Sequence, residues 1–216
     1  MKKLTSLLIA LAATGFSLQA QAQDAKAGEK KAAMCIGCHG IPGYQASFPE
    51  IYKVPMIAGQ GAKYIVSSLA AYKKGDRKHP TMRAIAVSLT DQDMADLAAF
   101  YEQEAKDGAV AAAKATPAPS PAVAELLKKG NCASCHGESF NKPIDPSYPK
   151  LAGQHADYLY YALKAYQVDK NPQVGRNNAI MVGMAKPFTR AELKQVAGYL
   201  ATLPADLKTV PQSRFR

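Results

Sequence analysis

Between Ala62 and Lys74 the apolar positions Ile65, Val66, Leu69 and Tyr72 recur at helical spacing and predict an amphipathic helix. The stretch 25–34 is rich in Ala and Lys, both good helix formers, and predicts another. Thr90 followed three positions later by Asp93 reads as a capping box opening a helix that runs to about Glu104. Thr189 with Glu192 has the same form and opens a helix ending near Leu203, before Pro204. Val123–Lys129 and Ala156–Val168 complete the helical set. No run alternates apolar and polar residues convincingly as a strand. The expected fold class is all-α.

The pattern occurs twice. "CIGCHG" (35–40) lies over "CASCHG" (132–137), and "PMIAGQGAKYI" (55–65) over "PKLAGQHADYL" (149–159). Tyr72 matches Tyr166, Met82 matches Met181, and "SLTDQDMADLAAF" (88–100) matches "PFTRAELKQVAGY" (187–199). The offset drifts from 97 to 94 to 99, so loops differ between copies of one folding unit. Two copies are too few for a solenoid and indicate tandem domains. The stretch 105–122, "AKDGAVAAAKATPAPSPA", reads as the seam between them, semi-stiff where Pro recurs. The expected organisation is domain 1 at 23–107, a linker at 108–120 and domain 2 at 121–216. Each domain is small enough to need help from a staple, metal or cofactor.

Residues 1–22 stand apart. Lys2 and Lys3 precede an apolar, uncharged stretch that ends at Ala20-Gln21-Ala22. This reads as a secretory signal cleaved after Ala22, too short in its apolar core for the roughly 20 residues of a spanning helix. An exported chain, located in the periplasm, is expected. Removing the two lysines leaves 25 basic against 17 acidic residues, a formal +8. Most of this lies in the second half, where 116–216 holds 13 basic and 7 acidic residues. There is no basic run, and nucleic acid is an unexpected partner for an exported protein. A protein partner with an acidic face suits the charge better.

The chain has four cysteines, all spent on Cys35, Cys38, Cys132 and Cys135. Disulfides would use an even count in an exported protein but leave the His after each second Cys unexplained. A zinc site would have to join two distant pairs, and dithiol exchange expects a βαβ context that is missing. C-x-x-C-H is the attachment pattern of c-type haem, in which two thiols bond the macrocycle and the adjacent His reaches the iron. Two haem c groups are therefore expected, with His39 and His136 as proximal ligands. A Met on the far side closes the iron and suits electron transfer, whereas an open site suits catalysis. Met82 is the candidate in copy one, with His79 as rival. In copy two Met181 and Met184 both qualify. The repeat favours Met181, which stands eight residues before Thr189 as Met82 stands eight before Thr90. Met34, Met56 and Met94 are expected to pack, and His155 to face solvent or cap a helix. The tyrosines at 64, 72, 158, 160, 161 and 166 are expected in the core, on the haem wall or at the domain interface.

Two C-x-x-C-H-G motifs, each followed by P-x-[LI]-A-G-Q and a late Met, resemble the dihaem cytochrome c4 family over nearly the whole mature chain. The resemblance implies two class I cytochrome c domains related by a pseudo-twofold, with the haems facing one another. It implies His39/Met82 and His136/Met181 ligation. It also implies an electron-transfer protein, not an enzyme, with peripheral membrane association. Its donor would be a quinol-oxidising complex or a dehydrogenase, and its acceptor a terminal oxidase of a respiratory chain. The alternative is an electron-accepting subunit of a periplasmic dehydrogenase of flavocytochrome type. A peroxidase-like enzyme fits less well, since neither iron is left open.

Overall fold

The structure is a computed structural model and describes residues 23–104 and 115–211. The expected signal segment and most of the expected linker lie outside the described residues. Residues 115–120 have neither helix nor strand.

The first unit runs through α1 (Ala25–Lys31), α2 (Ala33–His39), β1 (Gln45–Ala46), β2 (Tyr52–Lys53), α3 (Ala62–Lys74), β3 (Arg77–Lys78), α4 (Pro80–Val87) and α5 (Asp91–Gln103). Asp24 starts α1 by accepting bonds from the Lys26 and Ala27 N–H groups. α1 then crosses α5 at Gly28, where a Cβ would stand 2.1 Å from the Asp96 carbonyl oxygen. The absence of a side chain lets the two backbones touch. α5 opens with the expected capping box, Thr90 and Asp93 each bonding the other's backbone N–H. Its inner face sends Met94, Leu97 and Phe100 into a core shared with Ile65 of α3.

The second unit repeats the order of helices, running through α6 (Pro121–Lys129), α7 (Ala133–His136), α8 (Ala156–Ala165), β4 (Gly175–Arg176), α9 (Ala179–Ala185) and α10 (Arg190–Thr202). Thr189 and Glu192 form the second capping box. Leu126, Leu159, Leu193, Val196 and Leu200 make its core. The fold is helix-rich, as expected. Among the described residues there are four strands of two residues each, which form two ribbons, β1–β2 and β3–β4. Two residues are too few to show an alternating pattern, so the sequence carries no signal for them.

The units meet along a seam of matched contacts. β3 and β4 come from different units and pair antiparallel, with Arg77 opposite Arg176 and Lys78 opposite Gly175. Tyr52 stacks on Tyr161 with ring centres 4.3 Å apart, beside Tyr158. Lys164 binds Glu50 across the same seam at 2.6 Å. The segment after α10 also crosses over. The Lys208 N–H donates to the Ala58 carbonyl at 3.1 Å, and Val210, 5% exposed, packs in the first unit's core.

Candidate haem sites

Each attachment motif sits on a short helix ended by glycine. α2 carries Cys35, Cys38 and His39 and is followed by Gly40. α7 is a single turn starting after Cys132 and followed by Gly137. Gly137 has φ +76, and a Cβ there would lie 2.0 Å from the Lys142 carbonyl oxygen. Only glycine lets the chain turn away so tightly after His136.

The two histidines are held alike. His39 Nδ1 lies 2.8 Å from the Pro55 carbonyl oxygen, and His136 Nδ1 lies 3.2 Å from that of Pro149. A carbonyl only accepts, so each Nδ1 carries the proton and each Nε2 keeps its lone pair for a metal. Burial lowers the basicity of both rings, with the carbonyl bond partly opposing it. At His39 the charges of Arg77 and His79 lower it further. Both imidazoles are therefore neutral near pH 7, the form that ligates iron.

None of the four cysteines is in a disulfide. Burial pushes the Cys35 and Cys132 thiols up, which is the reverse of the depressed thiol a dithiol exchange site uses. Among the described residues no cluster of three or more His, Cys, Asp or Glu could hold a bare metal ion. What each motif presents is two cysteine sulfurs and one neutral imidazole on, or at the cap of, one short helix, a set that fits covalent haem.

α4 and α9, which carry the methionines, begin alike. His79 caps α4, its Nδ1 accepting from the Met82 N–H at 3.3 Å. Asn178 caps α9, its Oδ1 accepting from the Met181 N–H at 3.0 Å. Met82 and Met181 thus occupy the third position of equivalent helices. Met184 stands almost a turn further on and is 44% exposed. His79, the rival at the first site, has its Nδ1 engaged as a cap. Met94 is core, as expected, at 2% exposure. Met34 is not, being 51% exposed at the outer side of α2. Met56 lies in the seam. His155 holds the cap position of α8, but its side chain makes no capping bond.

Sequence reasoning missed what the A-G-Q segments do. Gln60 accepts from the Lys150 N–H at 2.9 Å and donates to the Lys150 carbonyl at 3.0 Å. Gln154 accepts from the Met56 N–H at 3.0 Å and donates to the Met56 carbonyl at 2.9 Å. Each segment therefore gives one residue to the clamp and one to be clamped. It also supplies the proline carbonyl that orients its own histidine. Arg77 and Arg176 were missed too, although each stands five residues before its Met.

These features define a c-type cytochrome with two attachment sites. The cytochrome c family model matches the chain over residues 25–103 and 121–204. A cytochrome c4 from Pseudomonas aeruginosa is 30% identical over 210 residues, covering 94% of this chain and 98% of that protein. A thiosulfate dehydrogenase electron acceptor from Stutzerimonas stutzeri is 32% identical, covering 94% of this chain and 97% of that protein. The crystal structure of reduced recombinant cytochrome c4 from Pseudomonas stutzeri superposes with a TM-score of 0.63 at 27% identity, covering 84% of this chain and 100% of that one. The chain belongs to the cytochrome c4 family: a dihaem electron-transfer cytochrome of two tandem cytochrome c domains, with two covalently bound haem c groups. It works with redox partners. Among the described residues no helix is long and apolar enough to cross a membrane.

Proposed function

We propose that this protein is a periplasmic electron carrier, not an enzyme, exported by residues 1–22 and delivering electrons toward a terminal oxidase. Cys35 and Cys38 hold the first haem and Cys132 and Cys135 the second. His39 and Met82 are the axial ligands of one iron, and His136 and Met181 those of the other. Domain 1 spans 23–107 and domain 2 spans 121–216, with 108–120 between them. The bound haems supply a one-electron couple at each site. The residues keep each site closed: the proline carbonyl fixes the imidazole, and the capped helix fixes the methionine. The observation that carries the reading is this pairing, found twice, of a His locked through Nδ1 with a Met at the third position of a capped helix.

A second reading has specific support. The thiosulfate dehydrogenase electron acceptor matches at 32% identity over nearly the same span. On that reading the donor is a periplasmic dehydrogenase, and the chain is its dihaem electron-accepting subunit. The deciding experiment is an optical redox titration of the holo-protein with carbon monoxide added at the reduced end. Two low-spin haems, inert to carbon monoxide and each taking one electron, are expected. A high-spin haem that binds carbon monoxide would overturn the carrier reading. Turnover with a purified dehydrogenase, against turnover with a terminal oxidase, separates the two roles.

A further inference from the structure

One buried polar group of the first unit has no match in the second. Tyr101 on α5 and Leu200 on α10 are repeat mates. Each carbonyl accepts from the glycine N–H of its own A-G-Q segment, Gly59 to Tyr101 at 2.7 Å and Gly153 to Leu200 at 2.9 Å. Each side chain is buried, at 5% and 3% exposure, in a core that packs against the first cysteine of its own motif, Cys35 or Cys132. The two places are equivalent and the groups differ: a phenol stands in one and an isobutyl group in the other.

The phenol oxygen is cut off from water and completes no hydrogen bond. A hydroxyl left so in an apolar core is unfavourable, and a leucine, as at position 200, would avoid the cost. The sulfur of Cys35 is the polar atom that the hydroxyl acts on most. Burial pushes the Cys35 thiol up, and the Tyr101 hydroxyl, as a donor toward the sulfur, partly opposes it. Burial, then Cys35, and least of all Glu104 push the phenol up in turn, so it keeps its proton at any working pH. Attachment to the macrocycle turns the thiol into a thioether, which has lone pairs and no proton and can only accept. The Tyr101 O–H is then the one donor of the pair. The second unit has no such donor. Burial raises the Cys132 thiol, and only a backbone bond opposes it. Ser134 Oγ lies 3.7 Å from the Cys135 sulfur, but its single proton goes to the Asn131 carbonyl at 2.8 Å.

We propose that Tyr101 is a positioning residue that acts through Cys35: its hydroxyl donates to the thioether sulfur and raises the reduction potential of the first haem alone. A donor at the sulfur draws electron density from the macrocycle and disfavours the ferric state. In the half-reduced protein the hydroxyl thereby draws the electron toward domain 1. This role rests on the two-haem reading, and the test separates the two. In holo-protein, haem methyl NMR signals assigned by domain are followed through a redox titration. Tyr101→Phe removes one oxygen and keeps the ring, and is expected to lower the first potential and leave the second in place. An unchanged first potential, a rise, or an equal shift of both would overturn the role and leave the two-haem reading standing. An unaltered protein carrying fewer than two covalent haems would instead strike that reading. Should Tyr101→Phe fail to mature, resonance Raman spectra of the unaltered protein decide. Exchange of the hydroxyl proton for deuterium is expected to displace one carbon–sulfur stretching band. Bands indifferent to deuterium would give the hydroxyl to another acceptor, Glu104 or a trapped water, and refute the role.

Discussion

Gln60 and Gln154 grip each other's segment across the seam: each side chain holds, by N–H and C=O, the backbone of the residue four positions before the other glutamine. Both are nearly fully buried, at 5% and 3% exposure. Their amides are suited to this because one group accepts and the other donates, matching a peptide unit edge to edge. Truncating Gln60 to Ala leaves the Lys150 N–H and C=O without partners, at a cost of about 2 kcal/mol. The same cost is expected for Gln154→Ala. Both clamps close one seam, so the double variant should lose less than the sum of the singles. Calorimetry of the holo-protein checks this. Strict additivity would mean the clamps act independently and the seam is held elsewhere.

The methionine assignment makes a sharp contrast among three variants. Met82→Ala and Met181→Ala each remove a proposed axial ligand, so each is expected to turn one haem high-spin and open it to carbon monoxide while leaving the other closed. Met184→Ala is expected to leave both haems low-spin, because Met184 does not share the third position of a capped helix. Carbon monoxide difference spectra read all three. A high-spin haem in the Met184 variant, with Met181→Ala closed, would reverse the assignment in the second domain.

Legibility of the sequence followed the reach of each signal. Thr90 and Asp93, and Thr189 and Glu192, form local reciprocal bonds, so their capping boxes were readable within four residues. The helix over Ala62–Lys74 was readable because its apolar stripe repeats for three turns. α4 and α9 are eight and seven residues long, too short to display a period, and so appeared only as the places where Met82 and Met181 recur. The haem motifs were legible because Cys and His in fixed spacing have few alternative uses. The seam was not. Gln60, Arg77 and Val210 find their partners 90, 99 and 170 residues away, and no local pattern encodes such pairings. Repetition was the one available clue, since both glutamines and both arginines occupy matching places.

Gly28 tests how closely α1 must approach α5. A methyl group added there would lie 2.1 Å from the Asp96 carbonyl oxygen and 2.9 Å from the Phe100 Cβ. The nearest obstacle is backbone within a helix, which cannot turn aside as a flexible side chain does. Gly28→Ala should therefore push the helices apart and cost about 1–3 kcal/mol, despite alanine's better helix propensity. Chemical denaturation of the holo-protein measures it. A variant as stable as the original would show that α1 slides along α5 without loss.

Asp96 ties both ends of α1 to α5, and its effect should depend on pH. One carboxylate oxygen accepts from the Asp24 N–H at 3.0 Å and from Gln92 Nε2 at 2.7 Å, while the other meets Lys31 Nζ at 2.7 Å. Burial disfavours the charged form, but these donors outweigh it, Lys31 foremost, and hold the carboxyl below its ordinary range. A folded-state pKa below the unfolded value of about 3.9 means the folded protein binds the proton less readily. The stabilisation is then fully present above that value and fades as pH falls through it toward the folded pKa. Asp96→Asn keeps the shape and removes the charge, so it should cost about 1.5–3 kcal/mol at pH 7, the range for hydrogen bonds to a charged group. The gap between variant and original should narrow steadily below about pH 4. Denaturation midpoints measured from pH 7 down to pH 3 follow that gap. A difference that stays constant across the range would mean that the cost does not come from the carboxylate's charge and that the ion pair with Lys31 adds nothing.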